Sequence, residues 1–224
     1  MLFDWARLAR NRDRASEYFG DYAFLKVKES TQLLDRLQDS PRRFEHALDL
    51  IAHTGQASEA LRSSELVAAV TAFEPSSKMR DRLKDKGIQA VAMTSEDLPF
   101  DADHFDLVVS ILGLHWANDL PGLLGQIRTV LKPDGLFLGC LFGGGTLNEL
   151  RTALIEAESE VTGGISPRLS PLPGLQDMAG LLQHAKFALP VADVERVTVR
   201  YDHPMKLLQD LKGIGELAAF APRE

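Results

Sequence analysis

Residues 105–142 read FDLVVSILGLHWANDLPGLLGQIRTVLKPDGLFLGCLF, and their rhythm decides the fold. Phe105–Leu112 is a nearly continuous apolar run, the pattern of a strand buried on both faces. Leu120, Leu123, Leu124, Ile127 and Leu131 then recur at helical spacing, and Lys132-Pro133-Asp134-Gly135 stops that helix. Leu136–Phe142 is a second apolar run. Strand, helix and strand in this order make one right-handed crossover of a parallel sheet.

Upstream, the same rhythm repeats. Ala47–Ala52, Leu66–Phe73 and Ile88–Met93 are further apolar runs, and Pro75 opens a helix after the second of them. Strands separated by helices predict a doubly wound parallel α/β sheet, with 47–52 central and 66–73 beside it. Two helices come first, over 1–19 and 29–40, the second ended by Pro41. Downstream, helices are expected over 147–161, 174–185 and 204–211, with a loop at Thr162–Pro173. Phe187–Tyr201 holds two β-prone stretches around Ala192-Asp193 and is read as an antiparallel hairpin on the sheet edge. The expected organisation is an N-terminal helical extension (1–45), a cofactor-binding core (46–145), and helices plus the edge hairpin (146–224) completing the same domain.

The 224 residues carry 25 Lys and Arg against 32 Asp and Glu, a net charge of −7. A protein that tracks nucleic-acid phosphates needs a basic stripe, so that class is disfavoured. Cys140 is the one cysteine, which excludes an internal disulfide, and no Cys/His cluster has zinc-ligand spacing. No apolar run approaches the ~18 residues of a membrane span. The first residues contain four arginines by Arg14, but Asp4, Asp13 and Glu17 interrupt them as they rarely do in transit peptides. An ordinary first helix in a soluble, cytoplasmic protein is the expectation.

In an open α/β sheet, ligands lie beyond the carboxyl ends of the strands, at the switch point. The first strand runs into Asp49-Leu50-Ile51-Ala52-His53-Thr54-Gly55, and the second into Glu74, an acid 19 residues past Gly55. That spacing suits a turn beneath a nucleotide and an acid that accepts from ribose hydroxyls. The third strand leads to Thr94-Ser95-Glu96-Asp97-Leu98-Pro99-Phe100, and the fourth to Leu112-Gly113-Leu114-His115-Trp116. Taken alone, Glu74 could equally be a solvated helix N-terminus; the four loops together favour a nucleoside-containing cofactor. No G-x-S-x-G elbow, P-loop or H-E-x-x-H motif is present, so hydrolase, phosphate-transfer and zinc-protease chemistry has no support.

The segments ALDLIAHTG, AFEPSSKM, SEDLPFDADHFDLVVS and LKPDGLF resemble class I S-adenosylmethionine-dependent methyltransferases of the type 11 group. SILGLHWANDLPGLLGQIRTVLKPDG, FGGGTLNELR and GGISPRLSP resemble, within that group, the methyltransferase-like assembly factors of respiratory complex I and their bacterial relatives. The resemblance implies the Rossmann-like methyltransferase fold with a mostly parallel seven-stranded sheet, and S-adenosylmethionine as cofactor. It places Asp49 and the turn to Gly55 at the cofactor's methionine part and Glu74 at its ribose. Ser95 and Glu96 would border the adenine, with Leu112 beside it. Met79 is expected in the core.

Two departures bear on that site. The family's first motif has glycine where this chain has Ile51 and His53, and after the third strand the family commonly has an adenine-binding acid where this chain has Thr94. Glycine serves a positive φ or a close ligand approach. A β-branched residue forced there costs roughly 1–2 kcal/mol. The turn is therefore expected to narrow the cleft and weaken cofactor binding. The catalytic residue is open, with His115 as the candidate base and a packing or substrate-shaping role for it the favoured alternative. With Trp116 and Gly144 of the Gly143–Gly145 loop, His115 is expected to form the mouth for a small-molecule or protein acceptor, although packing is the competing role for Trp116. His53 could replace a ligand contact. Cys140 reads as a buried, inert thiol. Two functions follow: methyl transfer, or a cofactor-poor relative that serves as a binding or assembly module.

Overall fold

The computed structural model describes residues 1–39, 42–166 and 168–221. The expected helix stop at Pro41, Pro167 of the expected loop and the last three residues lie outside them. Five strands form one parallel sheet: β1 (Phe44–Leu50), β2 (Val67–Glu74), β3 (Gln89–Ala92), β4 (Phe105–Ile111) and β5 (Leu131–Cys140). Their order is β3-β2-β1-β4-β5, so the first strand is central and the second pairs with it, as the apolar runs imply. Every residue of β4 is buried, which is why its sequence shows no alternation.

Helices α1 (Trp5–Ala15), α2 (Phe19–Tyr22) and α3 (Phe24–Gln38) precede the sheet. The crossovers carry α4 (Gln56–Ser63), α5 (Ser77–Asp85) and α6 (Leu120–Val130); α7 (Asn148–Thr162), α8 (Leu175–His184) and α9 (Pro204–Gly213) follow. Side-chain caps start several of them. Asp4 accepts from Arg7 N at the head of α1, Ser76 from Met79 N on α5, and Asp119 from Gly122 N on α6. One core cluster under the sheet joins Leu48, Leu50, Phe73, Val108 and Ile127, and α3 and α4 cover the opposite face through Leu33, Leu37, Ala57 and Leu61. Met79 is fully buried.

Among the described residues the sheet has five strands where seven were expected, and the edge hairpin at Phe187–Tyr201 is absent. Residues 188–200 form no strand. Pro190 cannot donate to a ladder, and Leu189 adopts a left-handed φ of 52°. The segment is tied instead to α3 by side chains, Arg36 to Asp193 at 2.8 Å and Lys28 to Glu195. Leu189 and Val191 point to solvent. The segment therefore does not pair with the β5 edge of the sheet.

The N-terminal residues return to the other end of the described chain. Phe3 and Phe220 form an antiparallel bridge, Asp4 N donates to Ala219 O at 2.8 Å, and Ala221 N to Leu2 O at 2.9 Å. This pairing lays α1 and residues 214–221 over the carboxyl ends of the strands. Among the described residues, no helix is long and apolar enough to cross a membrane.

Candidate functional site

The strand order reverses between β1 and β4, and the crevice beyond their ends is the switch point. The turn after β1 is bent as the glycine pattern demands. Ile51, His53 and Gly55 have φ of 62°, 55° and 91°. Ile51 therefore carries β-branched strain in a left-handed turn. Its side chain lies where Gly113 leaves room, since a Cβ on Gly113 would sit 2.7 Å from Ile51 Cβ. The loops after β1 and β4 thus touch across the crevice.

Three charged side chains that sequence reasoning did not single out converge here: Arg12, Lys26 and Glu216. Lys26 Nζ donates to the carbonyls of Ile51 at 3.1 Å and Ile111 at 2.9 Å, and lies 2.5 Å from His53 Nδ1. Burial lowers its pKa to about 8, against the attraction of Asp49. Burial, with the charges of Arg12 and Lys26, also holds His53 well below its usual range, so its ring is neutral near pH 7. Phe19 stacks on that ring at 5.3 Å.

Glu74 is fully buried and its carboxylate is engaged at both oxygens. Oε2 accepts from His53 N at 2.8 Å and faces Arg12 Nη1 at 3.5 Å, and Oε1 accepts from Ser76 N at 2.9 Å. Arg12 reaches on to Glu216 Oε1 at 3.5 Å. Glu216 also accepts from His115 Nε2 at 2.8 Å and Trp116 Nε1 at 2.5 Å. Burial would raise the Glu216 carboxyl, but His115, His53 and Arg12 outweigh it and hold the group well below the usual range.

The remaining expected cofactor residues are distributed around this cluster. Asp49 Oδ2 accepts from Ser58 N and Oγ, while Oδ1 makes no hydrogen bond; burial raises its pKa against the pull of Lys26. Gly55 caps α4, where a Cβ would meet Leu83 at 2.6 Å. Ser95 Oγ bonds Asp97. Glu96 accepts from Trp5 Nε1, Asn118 N and Asp119 N, pinning α1 to the start of α6. Burial would raise its pKa, but these bonds lower it. Leu112 lines a small cavity with Phe19, Lys26, His53, Phe142 and Glu216, about 20 Å³ in volume. That is room for one water, not a nucleoside.

On the acceptor side, His115 and Trp116 sit in a 3₁₀ turn. His115 borders a second cavity of about 300 Å³ whose walls include Phe3, Leu114, Leu120, Leu172 and Pro173. Its Nδ1 is buried without a hydrogen bond. Gly144 N donates to Pro173 O, which brings the glycine loop to the same cavity. Trp116 is buried against Phe3, Leu8 and Ala219, with its ring edge-on to Phe3 at 5.0 Å. Cys140 is half-buried beside Glu29, and burial with that carboxylate raises its thiol to about 12.

A parallel sheet of order β3-β2-β1-β4-β5, its strand order reversing beside β1, has the architecture of the Rossmann-like methyltransferase class of fold. Residues 48–139 match the methyltransferase domain family model. The chain is 39% identical to arginine-hydroxylase NDUFAF5, mitochondrial, of Danio rerio over 96% of its own length and 68% of that protein's. It spans 57% of the human protein of the same name. It is 34% identical to malonyl-[acyl-carrier protein] O-methyltransferase of Methylovorus sp. (strain MP688), covering 96% of this chain and 74% of that one. In fold it resembles an S-adenosylmethionine-dependent methyltransferase of Thermotoga maritima with a TM-score of 0.59 at 16% identity, covering 83% and 82% of the two chains. The chain belongs to the methyltransferase-domain family that includes these relatives, and it is an S-adenosylmethionine-dependent methyltransferase-like protein.

Family and fold imply S-adenosylmethionine as cofactor. In this structure the residues that the resemblance assigns to it are engaged by other parts of the chain. The Glu74 carboxylate accepts from His53 N and Ser76 N and faces Arg12, Glu96 is bonded to α1 and the start of α6, and Ile51, Lys26 and Arg12 lie in the crevice. The sequence did carry one signal of this. Leu8, Arg12 and Ala15 share the buried face of α1, and Lys26, Ser30, Leu33 and Leu37 that of α3. A cation at an apolar register position marks a buried partner.

Proposed function

We propose that this protein keeps the methyltransferase fold as a recognition module for a protein partner and does not hold S-adenosylmethionine at micromolar concentration. The Arg12–Glu74 contact carries this reading: the acid that the resemblance assigns to a ribose faces a guanidinium from the chain's own first helix. The cavity beside His115, walled mostly by apolar side chains with Asp177 among them, supports a site for a partner's side chain. Calorimetric titration with S-adenosylmethionine tests the reading; no heat up to a concentration of roughly 1 mM is expected, and a micromolar Kd would overturn it.

A second reading, methyl transfer to a small molecule or a protein, is favoured by the identity to the malonyl-[acyl-carrier protein] O-methyltransferase. It assigns Asp49, Gly55, Glu74, Ser95, Glu96 and Leu112 to the cofactor and His115 to the acceptor. It needs Arg12 and Lys26 to withdraw first.

A further inference from the structure

The two cations in the crevice are placed where a ligand's own donors would be. The carbonyls of Ile51 and Ile111 end the two central strands on either side of the switch point, and both accept from the one Lys26 ammonium. Glu74, at the end of β2, faces the Arg12 guanidinium. A nucleoside with an amino-acid tail would bring to these acceptors one ammonium and one pair of ribose hydroxyls. The chain supplies an ammonium and a guanidinium instead, from α3 and α1, and leaves about 20 Å³ of space.

Burying either cation costs stability, although the Lys26 ammonium has three polar partners. Arg12 Nε and Nη1 are buried without a hydrogen bond, and the Lys26 ammonium is fully desolvated. A core selected only for stability replaces such charges with apolar side chains. We propose that Lys26 and Arg12 form an internal plug that stands in for an amino-acid-bearing nucleoside, and that entry of such a ligand is competitive with them. This rests on the reading that the cleft is filled in the protein as it stands.

The test is calorimetric titration of S-adenosylhomocysteine into the wild-type chain, K26M and R12Q, with circular dichroism confirming that each variant is folded. K26M is expected to bind at least about tenfold tighter than the wild type, or than the detection limit set by it, and R12Q to gain in the same direction. Should K26M unfold, K26Q keeps a donor for one carbonyl and gives the same comparison. Folded variants with no gain would overturn the plug while leaving the proposed function standing. Weaker binding by the variants than by the wild type would also overturn it, making Lys26 and Arg12 ligands of the nucleoside. Micromolar binding by the wild type would remove the proposed function; K26M binding tighter still would then support the plug, and K26M binding no tighter would overturn it.

Discussion

Arg12 and Glu74 face each other at 3.5 Å between the first helix and the end of the second strand, and neither has any exposed side-chain surface. Removing one member of a buried ion pair strands the other, typically at a cost of about 3–5 kcal/mol. Glu74 retains hydrogen bonds from His53 N and Ser76 N, which places R12M near the lower figure. Urea denaturation should show R12M destabilised by about 3 kcal/mol, and R12M/E74Q recovering at least half of that loss. An R12M variant as stable as wild type would show that the pair contributes nothing to closing the cleft.

The Lys26 ammonium gives the fold a distinctive alkaline response. Its partners are His53 and the Ile51 and Ile111 carbonyls, with Asp49, Glu74, Glu216 and Arg12 around it. Its pKa falls from 10.5 unfolded to about 8 folded, so between those values the unfolded chain binds more protons. Stability from this group therefore rises with pH across that window, and the cost of burying the charge is fully present below it. The difference in stability between wild type and K26M, followed from pH 7 to 10.5, should shift in favour of the wild type as pH rises. A difference that stays flat would remove the buried charge from the account of the cleft.

Trp116 has 2% exposure, packs on Phe3, Leu8 and Ala219, and donates to Glu216. These contacts make it a tie between the fourth-strand loop and the paired terminal segments. Truncation of a buried tryptophan typically costs about 3–5 kcal/mol, and W116A should fall in that range by thermal or urea unfolding. Unchanged stability together with lost partner binding would return Trp116 to the mouth of the cleft.

Much of the sheet was legible because buried parallel strands are apolar on both faces. Phe105–Leu112 and Leu66–Phe73 located β4 and β2 to within a residue at each end. The first strand ends at Leu50, not Ala52, because Ile51 turns to a positive φ, the same property the displaced glycines foretold. The edge hairpin was misread because β propensity reports fit to a sheet that residues 188–200 never reach. The site was half legible. Asp49, Glu74 and Leu112 follow from strand ends, but Arg12, Lys26 and Glu216 arrive from helices and a tail that sequence spacing does not place over the crevice.

Ile51 shows two effects of opposite sign at one position. Its left-handed φ costs roughly 1–2 kcal/mol, which glycine would recover. Its side chain is fully buried over Gly113, and truncating a buried Ile loses about 2–5 kcal/mol. Packing wins, so I51G should be destabilised by about 2 kcal/mol in urea while opening the space above Gly113. A more stable I51G would mean that strain outweighs packing in this turn.

The filling of the cleft by the chain's own cations is tested most directly by a crystal structure grown in the presence of S-adenosylhomocysteine at a concentration of roughly 1 mM. The expected result is a crevice without nucleoside, with Arg12 against Glu74 and Lys26 on the Ile51 and Ile111 carbonyls. A ribose on the Glu74 carboxylate, with Arg12 turned away, would contradict it.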